Sequence, residues 1–391
     1  MKKINANNFI PYGRHFISDD DINEVLKVLN GKLITQGEFV PKFENKVAKK
    51  VNAKHGIAVN SATSALHLAC LALDVGVGDI VWTSPISFVA SANCALYCGA
   101  NVDFVDIDAV TGLIDIKKLE IKLANAEKNN SLPKVLIPVH LAGSSCDMNK
   151  IYSLSKKYSF SIIEDASHAI GGKYENQSVG NCKYSAITVF SFHPVKIITT
   201  GEGGLLTTNK NDLAEKIRML RSHGIVRDKN KFQYSTEGSW KYEQQLLGFN
   251  YRMTDLQAAL GLSQLNRLDE IVIERNRQLK FYYEILKDLP LTHLIIPENV
   301  VSSVHLAVIK LKKVSPQYYL DVFEGMRSEG IGVQLHYIPI YKQPYFSKFN
   351  FEEKNFPGSE EYSSTAISIP IFPGLKEKEQ LRVRDSLKKF L

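Results

Sequence analysis

The 391-residue chain is poor in the features that mark a secreted, membrane-bound or metal-built protein. Its five cysteines, Cys70, Cys94, Cys98, Cys146 and Cys182, are odd in number and include no Cys-x-x-Cys pair. That set offers neither a disulfide framework nor zinc-ligand spacing. Cys94 and Cys98 lie one helical turn apart in ASANCALYCGA, where buried thiols are expected instead of metal ligands. No apolar run approaches the length that spans a bilayer. The opening MKKINANNFI has charge but no apolar centre, unlike a secretory signal. Lys-Lys pairs at 2–3, 49–50, 156–157 and 388–389 are scattered, so no basic arm for nucleic acid forms. These shortages predict a cytoplasmic protein in a reducing compartment, with no metal, no nucleic-acid partner and no membrane partner.

What the chain does have is ordinary enzyme composition: 44% hydrophobic and 23% charged residues, enough to bury a large core. A net charge of +7 suits small anionic molecules. From about residue 55 to 210, short apolar runs alternate with helical patterns. GIAVN precedes SATSALHLACLAL, and IVWTS precedes SFVASANCALYCG; NVDFVDID, KVLIPVHLAG, FSIIEDASHA and AITVFSF follow. This alternation predicts an α/β fold on a mostly parallel sheet, with ligands at the carboxyl ends of the strands. After residue 210 the text turns helical. DLAEKIRMLRSHG closes on Gly224, and TDLQAALGLSQLNRLDEIVIERNRQLKFYYEIL reads as one long amphipathic stretch. The polar segment 227–243 reads as a loop, mobile or ligand-covering. Residues 1–270 are expected to form a large domain and 271–391 a smaller C-terminal α+β domain.

The chemistry-bearing residues follow the apolar runs. Ser61, Ala62, Thr63 and Ser64 stand where a strand becomes a helix, and N–H groups and hydroxyls there can cradle a phosphate or simply cap the helix. Asp165 ends the strand in SIIEDASHAI. Such a carboxylate can start a turn, or it can hold a proton on a pyridine nitrogen so that the ring accepts electrons. His168, three residues on, can reach a neighbouring ring substituent or be purely structural. Lys196, in SFHPVKIITTGEGG, follows the next strand. An amine partly desolvated at a strand end loses its proton more readily and can then condense with an aldehyde. Ser191 can add a hydroxyl to the phosphate cradle, and Gly201, Gly203 and Gly204 let the chain turn tightly into LLTT. Cradle, strand-end Asp and strand-end Lys have the order of a pyridoxal-phosphate enzyme of the aspartate-aminotransferase type.

EDASHAIGGKY, FSFHPVKIITTGEGG, GFNYRMTDLQAALGLSQLNRLD and HYIPIY resemble the DegT/DnrJ/StrS family of nucleotide-sugar aminotransferases, from about residue 10 to the end. The resemblance implies an aspartate-aminotransferase-like (fold type I) architecture and pyridoxal 5'-phosphate as cofactor. It implies that Lys196 carries the cofactor and shuttles a proton, that Asp165 pairs with the ring nitrogen, and that His168, where many members have Gln, lies by the ring's phenolic oxygen. Phe88 would stack on the ring, and Ala62, Thr63, Ser64 and Ser191 would hold the phosphate. Asn250 would reach that phosphate from the second subunit of a homodimer. Tyr12, Lys32, Leu33, Ile34, Thr35, Tyr337 and Tyr341 would line the nucleotide-sugar pocket. TSPISFVASANCALYCGA, NSATSAL, KLITQG and QLHYIPIY are most similar to the branch that aminates C4 of a UDP-linked 4-keto-6-deoxy-N-acetyl sugar on the pseudaminic acid route. L-Glutamate is the donor that kinship implies. Relatives with His in place of the lysine dehydrate sugars, and this chain keeps Lys196. Two rivals remain at this level: an aminotransferase for a perosamine- or bacillosamine-type sugar, and a non-catalytic ligand sensor on the same fold.

Overall fold

The computed structural model describes residues 9–234, 238–312 and 314–391, so most of the opening MKKINANNFI and residues 235–237 of the expected loop lie outside it. Strands β1 (His55–Val59), β2 (Ile80–Thr83), β3 (Asn101–Phe104), β4 (Val135–Ile137) and β5 (Ser161–Asp165) fall on the apolar runs. A short hairpin, β6 (Lys173–Tyr174) and β7 (Gln177–Ser178), precedes β8 (Ile187–Ser191) and β9 (Gly204–Thr208). They form a seven-stranded sheet in the order β1-β9-β8-β5-β4-β2-β3. Neighbours are parallel except around β9, which runs antiparallel to both β1 and β8.

Helices cover both faces of the sheet, which is why its strands read as nearly continuous apolar runs. Adjacent residues feed opposite cores: Val81 and Ile163 pack on one side, Trp82 and Ile162 on the other. Helices α1 (Asp19–Leu29) and α2 (Phe39–Val51) precede β1, and α3 (Ala62–Ala72) and α4 (Ala90–Tyr97) belong to the first core. α5 (Ile116–Lys128) and α6 (Met148–Tyr158) close the second. α7 (Asn211–Arg221) returns to the first face, and its chain reverses through Gly224 at φ +70°. Each fully buried Ile, Val or Leu contributes about 1.5–3 kcal/mol relative to exposure, so these cores fix the sheet edge that carries the site.

The long helical stretch after residue 254 is two helices, α8 (Asp255–Asn266) and α9 (Leu268–Leu286). The break falls at Arg267, whose backbone leaves helical geometry and whose Nη2 donates to the buried Asp21 carboxylate at 2.5 Å. A period-3.6 pattern continues across such a break, so the sequence alone does not display it. The segment expected as a loop is bracketed by a small hairpin, β10 (Ile225–Val226) with β11 (Glu243–Gln244). The Glu243 carboxylate accepts from the Gln233 and Tyr234 N–H groups at 2.7 and 3.0 Å.

A second, three-stranded antiparallel sheet orders β12 (Leu291–His293), β14 (Ala307–Leu311) and β15 (Ala366–Ile369), while β13 (Val300–Val301) pairs with β6. α10 (Pro316–Ser328) and α12 (Glu377–Phe390) pack with it and with part of α9 around a third apolar cluster, which also takes in Ile10. Residues 340–365, including α11 (Pro357–Thr365), return to the large sheet: Ile340, Tyr341 and Phe346 join its first core and Tyr362 its second. Among the described residues, no helix is long and apolar enough to cross a membrane.

Candidate active site

Four chain positions meet at one edge of the large sheet. Gly204, at the start of β9, is paired with Val59 at the end of β1 and with Ser191 at the end of β8, while Asp165 ends β5 beside β8. A cavity of about 450 Å³ opens there. A Cβ on Gly204 would lie 2.5–2.6 Å from the Ser61 carbonyl group and the Ala62 nitrogen. Glycine is therefore required for α3 to start this close to the sheet. Ser61 is the N-cap of α3, its Oγ accepting from the Ser64 N–H at 3.1 Å. Ser61, Ala62, Thr63 and Ser191 all face the cavity. The N–H groups of the first helical turn have no intrahelical acceptor, so this wall is built for an anion.

The loop between β8 and β9 is held shut at its base. The Phe192 N–H donates to the Gly203 carbonyl at 2.9 Å, the Phe192 carbonyl accepts from Thr200 N and Thr199 Oγ1, and Gly201 turns at φ +81°. The Thr and Gly run after Lys196 is thus the clamp that returns the chain to the sheet. Lys196 itself donates its N–H to the His193 carbonyl at 2.9 Å and lines the cavity. Burial lowers its amine to a pKa of about 8, with the Asp165 charge opposing the shift. A substantial neutral fraction therefore exists near physiological pH.

Asp165 is buried, and its two oxygens are held from different elements. Oδ2 accepts from Ser91 Oγ at 2.6 Å, and Ser91 Oγ is in turn 2.6 Å from Ser87 Oγ. Oδ1 accepts from the Ser167 N–H at 3.1 Å. A carboxylate has room for about four such bonds, so capacity is left towards the cavity. His168 is buried, and burial followed by the Lys196 and His336 charges pushes it well below the ordinary histidine range. The Ala142 N–H donates to its Nδ1 at 3.3 Å. A neutral ring must then carry its proton on Nε2, which lies 3.2 Å from the Tyr337 hydroxyl. His168 is a neutral hydrogen-bond donor.

Of the residues expected from the sequence, Tyr12, Ala62, Thr63, Phe88, Asp165, His168, Ser191, Lys196 and Tyr337 surround this one cavity. Phe88 is 58% exposed on its wall, so its ring face is open to a ligand. Ser64 does not belong to the wall. It is buried, and its Oγ donates to Asn60 Oδ1 at 2.7 Å, so Ser61 takes the place expected of it. Tyr341 is also absent from the wall: its ring stacks on Phe356 at 4.6 Å and its hydroxyl donates to Glu360 at 2.6 Å. Lys32, Leu33, Ile34 and Thr35 form an exposed turn between α1 and α2, away from this cavity. Asn250 is likewise exposed, bridged to Ser222, and does not line it.

The sequence reading left His193, Glu202, His305 and His336 unassigned, and all four line the cavity. His193 and Glu202 sit inside the motif that carries Lys196, which was the available signal. His305 and His336 come from the C-terminal part of the chain, and only long-range packing brings them here. Among the described residues, no group of three or more His, Cys, Asp or Glu side chains is placed to hold a metal ion.

The donor set fits a phosphorylated pyridine aldehyde: an anion cradle, a hydrogen-bonded carboxylate, a neutral imidazole donor, an exposed aromatic ring and one amine of lowered pKa around a single space. Residues 15–388 match the DegT/DnrJ/EryC1/StrS aminotransferase family. The chain is 38% identical over 382 residues to a UDP-4-amino-4,6-dideoxy-N-acetyl-beta-L-altrosamine transaminase of Campylobacter jejuni, covering 97% of this chain and 96% of that one. Helicobacter pylori PseC, an aminotransferase involved in the biosynthesis of pseudoaminic acid, superimposes with a TM-score of 0.88 at 32% identity, over 98% of this chain and 99% of that one. The PLP-form of a putative sugar aminotransferase from Streptococcus pneumoniae, Spr1654, gives a TM-score of 0.88 at 27% identity over 98% and 100% of the two chains. The protein belongs to the DegT/DnrJ/EryC1/StrS aminotransferase family.

Proposed function

We propose that this sugar aminotransferase transfers the amino group of L-glutamate to C4 of UDP-2-acetamido-2,6-dideoxy-β-L-arabino-hex-4-ulose, a step of pseudaminic acid biosynthesis. The observation that carries the chemistry is the meeting of Lys196, of lowered pKa, with the strand-end carboxylate of Asp165 beside the α3 anion cradle. The choice of sugar is supported by the near full-length similarity to the Campylobacter transaminase, whose name contains the corresponding 4-amino sugar.

The cofactor is pyridoxal 5'-phosphate, which when bound supplies the electron sink for loss of the donor's α-proton. Ser61, Ala62, Thr63 and Ser191 would hold its phosphate, Asp165 its ring nitrogen, His168 its phenolic oxygen and Phe88 its ring face, with Lys196 as the covalent anchor. As a free amine, Nζ of Lys196 would be the base that takes the donor's α-proton. Positioned proton transfer of this kind contributes roughly 10²–10⁴-fold. Tyr12 and Tyr337, which line the same cavity, would orient the sugar.

The functional unit is a cytoplasmic homodimer. Asn250 and the turn 32–35 are exposed on this chain and away from its own cavity, as residues serving a second copy's site must be. Ile22, Leu26, Leu29, Leu33 and Ile34 form an exposed apolar set around that turn, suited to burial against another copy.

A coupled assay with defined UDP-4-keto-6-deoxy-N-acetylhexoses and L-glutamate, with NMR of the aminated product, tests the assignment. The β-L-arabino ketose is expected to be turned over with the highest kcat/KM. Preference for a D-configured 4-keto sugar would move the protein to a perosamine- or bacillosamine-type role.

A further inference from the structure

Beneath the cavity wall lies a cation that the chemistry above does not use. Arg275, on α9, is fully buried, and among the described residues no carboxylate pairs with it. Glu274, its neighbour, spends Oε1 on the Gly374 N–H and on Gln278 Nε2. Burial lowers the Arg275 guanidinium to a pKa of about 10, with the Glu274 charge opposing, so it remains a cation at neutral pH. Its Nη1 donates to the carbonyls of Val304, His305 and Ile371 at 3.2, 3.5 and 3.3 Å. Ile371 in turn donates its N–H to the Tyr12 carbonyl at 3.0 Å. One guanidinium therefore fixes the backbone behind two cavity-wall residues, His305 and Tyr12.

His305 is 3% exposed, lines the cavity, and packs its ring 4.3 Å from that of His168. The two are tied through a single residue: Ala142, at φ +57°, gives its N–H to His168 Nδ1 and accepts the His305 N–H on its carbonyl at 2.8 Å. Among the described residues, His305 Nδ1 is buried without a partner. A protonated ring would bury an unpaired N–H there, whereas an unpaired lone pair costs less. We propose that Arg275 is a positioning residue that holds His305 as a neutral Nε2–H donor on the cavity wall, ready for an uncharged oxygen, hydroxyl or carbonyl, of the substrate.

The groups acting on His305 push in one direction. Burial, then His168, Lys196, Arg275 and His336, all disfavour its protonated form. Asp165 and Glu202 are the carboxylates on the same cavity, and Tyr12 and Tyr337 its phenols. The inference rests on the site reading given above but not on the choice of sugar.

The test is long-range ¹H–¹⁵N NMR of the pyridoxal-phosphate-loaded protein labelled with [¹⁵N]histidine, His305 being identified by its loss in His305→Gln. In the wild type, His305 is expected to remain the neutral Nε2–H tautomer at pH 6. Arg275→Gln removes one of the charges that disfavour the protonated ring and raises the His305 titration half-point measurably. Arg275→Lys keeps the charge but not the Nη1 position that reaches the three carbonyls, so it lowers Tm while leaving the half-point close to that of the wild type. An unchanged half-point in Arg275→Gln overturns the proposal. So does a charged or Nδ1–H ring in the wild type at pH 6, a result that does not depend on either Arg275 variant folding. No sugar enters the measurement, so a failure here is distinguishable from a wrong substrate.

Discussion

Lys196→Arg will lower kcat for amino transfer by roughly 10²–10⁴-fold and leave a folded protein. The side chains are similar in length, and the backbone of the loop is held by Phe192, Thr199 and Thr200, not by the amine. Arginine is effectively never deprotonated, so it can neither condense with an aldehyde nor take a proton from the donor. Circular dichroism and thermal unfolding check the fold, and the glutamate half-reaction checks the chemistry. Retained turnover above about a tenth of wild type would remove Lys196 from its role. The same amine gives a pH signature. In cofactor-free protein, its reaction with trinitrobenzenesulfonate is expected to have a half-point of about 8, against about 10.4 for exposed lysines. The sign for stability follows from the same numbers. The folded pKa is depressed, so between about pH 8 and 10.4 the unfolded chain binds more protons, and stability gains with rising pH. Lys196→Met lacks this gain, and its stability relative to wild type is expected to fall across that window.

Asp165→Asn will lower kcat by about 10²–10³-fold, the usual loss when one preorganised charge at a reacting centre is removed. Asparagine can keep a carbonyl oxygen towards Ser91 Oγ or the Ser167 N–H, so the strand end stays in place. What it loses is the negative charge that, on the proposed function, would face the cofactor's ring nitrogen. Steady-state kinetics with glutamate, at saturating pyridoxal phosphate, read the effect. Activity within about threefold of wild type would mean that Asp165 only closes the strand. Ser91→Ala acts through Asp165 and is expected to have a smaller effect in the same direction.

Asp165 and Lys196 were legible because a parallel sheet buried on both faces writes its strands as apolar runs, and whatever polar residue ends a run stands at the ligand edge. The proposed phosphate cradle was legible as a strand-to-helix junction, but not which hydroxyl faces out. Ser61 took the N-cap, and that turned Ser64 inward to Asn60. Tyr337 and Tyr341 look alike in HYIPIY. A 3₁₀ turn at Ile340–Lys342 rotates the second into the aromatic cluster of Phe104, Phe346 and Phe356. His305 and His336 had no local signal, since each depends on the C-terminal sheet docking against the large one. The break at Arg267 was hidden because the apolar periodicity runs on across it, while the partner of its side chain, the buried Asp21, lies far off in α1.

Borohydride reduction of the pyridoxal-phosphate-loaded protein, followed by peptide mass mapping, asks the central question most directly. The pyridoxyl mass is expected on the peptide that contains Lys196. The label on another lysine, or no label although the cofactor is bound, would contradict the account.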